Sequence, residues 1–313
     1  MKSAAKSRTA GRRATRRRAD ARGKAWSTLR ADGLQILQTA ALTKLPWLVH
    51  GFSTRPGGVS LLDGGRVLNL GFTDWDAREK VQANRAKLLR ALRASRMKLL
   101  TLRQIHSDVI HILEAAPAAA PQGDAAITNA PGILLGVQTA DCVPILLVDP
   151  RRHAVAAVHA GWRGTLGRIA AKTLGRMQMA FGTHPESVVA VLGPAIGRCC
   201  YDVGPEVAQA YAGRFAQARE WFDGPFDQLA SGEEPNPFKW LSRTPPGHDL
   251  PPARVRLDLV AANRWQLLDA GVPASNIVAS ELCTSCRTDL LFSHRKENAR
   301  TGRLMAVIGV RPD

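Results

Sequence analysis

A chain of 313 residues with a formal net charge of +17, five cysteines and no run of 18 apolar residues is long enough to bury a substantial core and is not expected to span a membrane. Five cysteines, two of them adjacent, do not make a disulfide framework, so a reducing, cytoplasmic setting is expected. The charge is uneven: residues 1–25 carry ten Lys/Arg against the single acid Asp20, which reads as a disordered basic tail ahead of one catalytic domain over 26–313. Such a tail suits an organellar transit peptide or weak, non-specific attraction to polyanions, nucleic acid included.

After the tail, Trp47 to Ser53 reads as a strand running into Thr54-Arg55-Pro56-Gly57-Gly58, a glycine turn that presents Arg55, and Asn69-Leu70-Gly71 is a second tight segment. Asp76 is placed to cap a helix burying Val81, Leu88, Leu89 and Leu92. Leu99 to Leu113 is strand-like and contains Gln104-Ile105-His106. Gly123-Asp124 opens the next segment, where Ala125–Thr128 and Gly132–Val137 read as paired strands.

The stretch from Gln138 to Arg168 carries the strongest chemical signal. Cys142 leads into the apolar run Val143–Val148, Asp149-Pro150-Arg151-Arg152 supplies a turn, and His153–Val158 returns to His159. Pairing Asp149 with Arg152 sets Cys142 opposite His159, about 5 Å apart at Cβ. A thiol and an imidazole so placed are two metal ligands or a Cys–His dyad. Gly161-Trp162-Arg163-Gly164 then opens one helix through Met177, offering backbone N–H groups and the Arg163 fork to an anion.

Beyond it, Val188–Leu192 is a strand and a helix begins at Pro205. Residues 224–253 hold ten Gly and Pro and read as a surface excursion. Asp258 caps a helix ended by Gly271, and Asn276–Ser280 and Leu304–Val310 are strands. Mixed strands and helices without regular alternation favour an α+β fold. Catalytic zinc wants three protein ligands and an open position. Cys142 and His159 supply two, and His106 is the best third, ahead of His111. His294, beside Arg295, is a candidate substrate contact. Cys283-Thr284-Ser285-Cys286 has zinc or redox spacing, yet one such pair without a second reads as an inert structural pair. Eight histidines without a His-x-His pair argue against several coppers, though one Cys and two His suit a single copper ion. The paired marks of zinc nucleobase deaminases, H-x-E with P-C-x-x-C, do not occur together, since His184-Pro185-Glu186 stands without any P-C-x-x-C.

The strings QIHSDVI, GDAAIT, TADCVPILLVD, VAAVHAGWRGT, LGPAIGRCCYDVG and SHRKENARTGR together resemble the YfiH-type family, once labelled polyphenol oxidase or laccase and now described as purine nucleoside phosphorylases. The resemblance runs from about Leu48 to Val310. It implies an α+β fold with β-sheets packed between helices, related to a toxin deamidase, and a zinc ion on His106, Cys142 and His159, with copper the lesser alternative. It also implies phosphorolysis of adenosine, inosine, guanosine and methylthioadenosine, with adenosine deamination. Phosphate and nucleoside are then the partners, with Arg163, the glycine turn and Arg55 holding phosphate. Asn69, Gln104 and His294 complete the substrate contacts, and Asp124 or Asp141 protonates the leaving base. Two other readings stay open. One is a Cys142–His159 hydrolase editing peptidoglycan precursors, and the other a nucleic-acid-binding protein with a structural Cys/His site.

Overall fold

The computed structural model describes residues 25–230 and 254–312. The basic tail up to residue 24 and most of the 224–253 excursion therefore lie outside the described residues. In chain order the strands are β1 (Trp26–Ala31), β2 (Leu34–Thr39), β3 (Leu48–Ser53), β4 (Pro56–Leu62), β5 (Gly65–Val67) and β6 (Lys98–Thr101). There follow β7 (Ile110–Ile112), β8 (Ala125–Thr128), β9 (Ile133–Thr139), β10 (Val143–Asp149), β11 (Ala154–Ala160) and β12 (Val189–Leu192). The last are β13 (Asp202–Val203), β14 (Phe222–Asp223), β15 (Val255–Leu257), β16 (Ile277–Ala279) and β17 (Leu304–Val310).

Two six-stranded sheets form, one in the order β1-β2-β3-β17-β9-β6 and the other β16-β12-β10-β11-β8-β7. They pack face to face through Phe52, Leu135, Val137, Leu146, Val148, Val155, Ala157 and Ile308. The outer face of the first sheet is covered by the helix Arg78–Ala91, whose Val81 and Leu88 are buried. The outer face of the second is covered by Ile169–Phe181 and Leu259–Asp269. The result is an α+β fold with mixed sheets between helices. It explains why β10 is apolar at successive positions: Ile145 and Leu147 face the helices while Leu146 and Val148 face the other sheet. No helix among the described residues is long and apolar enough to cross a membrane.

Several expectations change. The central hairpin pairs Asp149 with Ala154 and Pro144 with His159, because Pro150 to His153 form a four-residue loop. Asp149 Oδ1 accepts the N–H groups of Arg151 and Arg152, and His153 turns left-handed at φ +49°. Cys142 is thus two residues out from the position opposite His159. An even slip preserves the face, so thiol and imidazole still meet. β8 and β9 do not pair with each other: β8 joins β11 and β7, while β9 joins β17 and β6 of the other sheet. Leu99–Leu113 is two short strands with a loop between them that carries His106. Asp76 accepts from Ser60 Oγ and Asn69 Nδ2 instead of capping, and the N-cap is Ala77. The helix after Gly161 is two helices, Trp162–Leu166 and Ile169–Phe181, broken where Arg168 turns left-handed at φ +62°. Asp258 does cap its helix, accepting from the Ala261 N–H. Phe226 and Leu229, at the start of the supposed excursion, are core residues on a short helix.

Candidate functional site

Three chain ends of the second sheet converge: Cys142 just before β10, His159 near the end of β11, and Asp124 just before β8. His106 comes from the loop after β6, with its backbone left-handed at φ +58°. Such a φ is uncommon for a residue with a side chain and persists where the surroundings impose it. Here the cause is Asp124. Its carboxylate is fully buried and accepts from the backbone N–H groups of Ile105, His106 and Ser107 and from Ser107 Oγ, winding the loop around one anion. Asp124 Oδ1 also accepts a hydrogen bond from His159 Nδ1–H at 2.8 Å.

That last bond fixes the imidazole. With the proton on Nδ1, the lone pair on Nε2 of neutral His159 turns toward Cys142 and His106. The donor atoms of His106, Cys142 and His159 lie within 4.8 Å of one another. Burial opposes ionisation of the Cys142 thiol, but the His159 and His106 imidazoles outweigh it and bring the thiol down to about 6. Burial likewise opposes protonation of His159, and the Cys142 and Asp124 charges override it and raise the imidazole. The thiolate is the state a soft cation recruits, whereas a metal on His159 would first have to displace the proton that this ion pair holds on the imidazole. Gly161 is the matching gap, since a Cβ there would sit 3.0 Å from Cys142 Sγ and 3.1 Å from His106 Cδ2. The trio is therefore a His/Cys cluster able to bind a metal. Its second coordination layer is already present as the carboxylate on His159.

Cluster and cleft are continuous. An open cavity of about 580 Å³ has His106, Cys142 and His159 on its floor, with Arg103, Arg163, Arg295 and Arg303 in its walls. Phe72, Trp162 and Tyr201 add flat rings. The Arg163 guanidinium lies 4.5 Å from the Trp162 ring centre and that of Arg295 5.2 Å from Tyr201. Burial lowers the Arg303 guanidinium from its ordinary value while Asp141 and Cys142 pull the other way.

The structure brings most of the expected site residues to this cleft. His294, Arg163, Gln104 and Asp141 line it. Gln104 is also a ladder piece, with its amide closing on both Gln138 N and Gln138 O of β9. Asp141, at φ +102°, accepts from Thr284 Oγ1 and from the Arg295 N–H, which pins two loops beside the thiol. Asp124 accepts five hydrogen bonds and Asp141 one at each oxygen, with Asp141 alone of the two lining the cleft. Arg55 stands apart from the cleft, bonded to Glu297 and Thr288 O over the Phe292 ring. Asn69 is fully buried, bridging Thr73, Asp76, Gly71 N and Arg303 N. Both are tied into the fold by these bonds, and neither lines the cleft. Arg103, Arg303, Tyr201 and Phe72 escaped sequence reasoning. Arg303 and Tyr201 do lie inside two of the strings that carried the resemblance.

Fold and cleft define an α+β protein with a Cys/His centre at the base of a cationic pocket. The chain belongs to the family described as multi-copper polyphenol oxidoreductase laccase, which it matches over residues 49–311. It is 35% identical over 275 residues to the purine nucleoside phosphorylase YlmD of Geobacillus stearothermophilus, covering 85% of this chain and 91% of that one. It is 33% identical over 264 residues to the adenosine deaminase RL5 of an unknown prokaryotic organism, covering 82% and 91%. The crystal structure of a hypothetical protein YfiH from Bacillus licheniformis superposes with a TM-score of 0.75 at 30% identity, over 91% of this chain and 99% of that chain.

Proposed function

We propose that this protein is a zinc-dependent purine nucleoside phosphorylase with adenosine deaminase activity. The observation that carries the reading is the joint placement of a three-donor Cys/His cluster and four arginines around one cleft walled by flat rings. A nucleoside needs an aromatic surface for its base, phosphate needs guanidinium forks, and both must meet at one point. The names of the relatives at 35% and 33% identity point the same way.

His106, Cys142 and His159 would hold the zinc, which would supply Lewis acidity to a bound oxygen. Arg163 and Arg303 hold and neutralise phosphate, and the rings of Tyr201 and Phe72 flank the purine. A phosphate oxygen then forms a bond to the sugar anomeric carbon as the bond to the purine nitrogen breaks, the base leaving with the electron pair. The leaving nitrogen must gain a proton. His294 is the group available to give it, because its ring lines the cleft and has no hydrogen-bond partner among the described residues. In deamination, water adds to the purine carbon bearing the amino group and ammonia leaves. All five cysteines are unpaired, which suits action in a reducing cytoplasm.

The test is to incubate adenosine with the purified protein, with and without inorganic phosphate. Phosphorolysis gives adenine and a sugar phosphate only when phosphate is present, and deamination gives inosine and ammonia in both. Absence of both product sets from protein carrying zinc refutes the reading. One observation favours a second reading: Cys142, His159 and Asp124 also form a thiol–imidazole–carboxylate series of the kind that activates a nucleophile, suited to hydrolysis of amide bonds in cell-wall precursors. His106 separates the two, since a metal needs it as third ligand and a nucleophilic thiol does not.

A further inference from the structure

Some distance along the same wall stands a second sulfur cluster that the cleft does not use. Cys199 and Cys200 sit in a tight turn closed by the Cys200 N–H on Gly197 O. Cys283 and Cys286 belong to the loop after β16. The four sulfurs lie within 4.8 Å of one another. Cys286 Sγ is 3.6 Å from Cys199 Sγ and 3.4 Å from Cys200 Sγ. These separations are far from the roughly 2.05 Å of a disulfide. They are close to the edge of about 3.8 Å that a tetrahedron with zinc–sulfur bonds of about 2.3 Å requires. We propose that Cys199, Cys200, Cys283 and Cys286 form a structural tetrathiolate zinc site, separate from the His106–Cys142–His159 centre.

Three further features support it. The Gly197 N–H donates to Cys283 Sγ at 3.2 Å, a contact that stabilises negative charge on sulfur. Gly197 also leaves the space open, since a Cβ there would stand 3.2 Å from Cys199 Sγ and 3.4 Å from Cys283 Sγ. The nearest cationic side chains in sequence, Arg198 and Arg287, are engaged with Asp223 and Asp289, so neither is free to balance a set of thiolates. Four thiolates are a soft donor set that prefers zinc to hard cations, and Cys283-x-x-Cys286 has the spacing of one half of such a site.

The position gives the site a task. Cys200 precedes Tyr201 of the cleft wall, and Cys283 precedes Thr284, whose hydroxyl donates to Asp141. The two segments otherwise meet through the Ala195–Cys283 bridge and the Thr284 N–H on Ala195 O. A zinc ion here staples them, holding Tyr201 and Asp141 in register across a loop closure of more than eighty residues.

The experiment is metal analysis of the full chain purified from zinc-supplemented cells, for wild type, Cys199→Ser, Cys286→Ser and His106→Ala. Wild type should carry about two zinc ions per chain and each variant about one. If the Cys142 centre takes no zinc, wild type carries about one; the serine variants lose it and His106→Ala keeps it, which supports this proposal and refutes the other. Either serine variant retaining the wild-type zinc content overturns it. So does iron in place of zinc, or a disulfide among these four in unreduced denatured protein. Should the serine variants fail to fold, cobalt-loaded His106→Ala protein decides. Intense thiolate-to-cobalt absorption of a four-sulfur site is expected, and its absence refutes the proposal.

Discussion

Asp124→Asn is the sharpest perturbation of the candidate centre, because it changes charge and acceptor number without changing shape. The carboxylate takes five hydrogen bonds: Oδ1 from His106 N–H and His159 Nδ1, and Oδ2 from Ser107 N–H, Ser107 Oγ and Ile105 N–H. An asparagine keeps one acceptor oxygen and turns an NH2 group toward the other set of donors. If the amide nitrogen replaces Oδ1, two donors lose their acceptor and His159 must move its proton to Nε2, where it blocks a metal. If it replaces Oδ2, the loop carrying His106 loses its anchor. Hydrogen bonds to a charged group contribute about 1.5–3 kcal/mol each, so losing two costs about 3–6 kcal/mol of stability. Loss of the partner that orients a ligating histidine costs about 10–100-fold in metal affinity. Zinc affinity by chelator competition, with denaturant unfolding of metal-free protein alongside, measures both. Ser107→Ala is the control, removing one bond worth about 1 kcal/mol. An Asp124→Asn protein with wild-type zinc affinity and wild-type stability refutes the assigned role.

Three other outcomes are expected. Gly161→Ala keeps the backbone, which at φ −76° any residue adopts. Its Cβ crowds Cys142 and His106, so zinc affinity at that centre falls about tenfold or more for about 1–3 kcal/mol of overpacking; an unchanged chelator titration refutes the gap. Arg163→Lys keeps the charge but loses the planar fork, so phosphorolysis falls more than deamination, and equal losses mean that Arg163 holds the nucleoside or the fold. Buried His50 accepts the Thr39 N–H through Nε2, and burial lowers its pKa from 6.5 to about 4. The unfolded chain therefore binds this proton and the folded one does not. Stability falls as pH drops between those values, by about 3 kcal/mol in all, and is unaffected above them. Urea unfolding at neutral and at acid pH should show a smaller acid loss in His50→Gln than in wild type, and parallel losses refute the assignment.

How far the sequence led can be argued from the hairpin. The thiol and imidazole were placed together from a two-residue turn, whereas the real loop has four residues because the Asp149 side chain organises it. The conclusion survived because strand faces repeat every second residue and the slip was two. A slip of one would have put His159 in the opposite face of the sheet. The β8–β9 pairing failed for a different reason. Short separation suggests a hairpin, but the partner of β9 is β17, about 170 residues on, and no local pattern encodes that. Arg55 and Asn69 drew attention as polar residues in glycine-rich turns, a pattern that buried hydrogen-bonded ties share with ligand sites. The cysteines were missed as a cluster because the second pair is adjacent, not spaced, and lies over eighty residues from the first.

The family description mentions several coppers, and the donor sets bear on that. Histidine is the ligand that copper oxidases need in quantity, and three of the seven described histidines are engaged elsewhere. His50 accepts from Thr39 within the sheet, His111 bonds Gln122 O, and His153 stacks on Trp47. Among the described residues only His106 and His159 belong to a metal-capable cluster, and the other cluster is all sulfur. Passing four electrons to dioxygen requires several linked redox centres, whereas one Cys/His2 centre opening on four arginines suits a reaction in which charge is moved without electron transfer. Loading the protein with copper in place of zinc therefore should not yield phenol oxidation, while nucleoside cleavage should depend on phosphate. Sustained oxidation of a phenol by copper-loaded protein, abolished by His106→Ala, would reverse that order of preference.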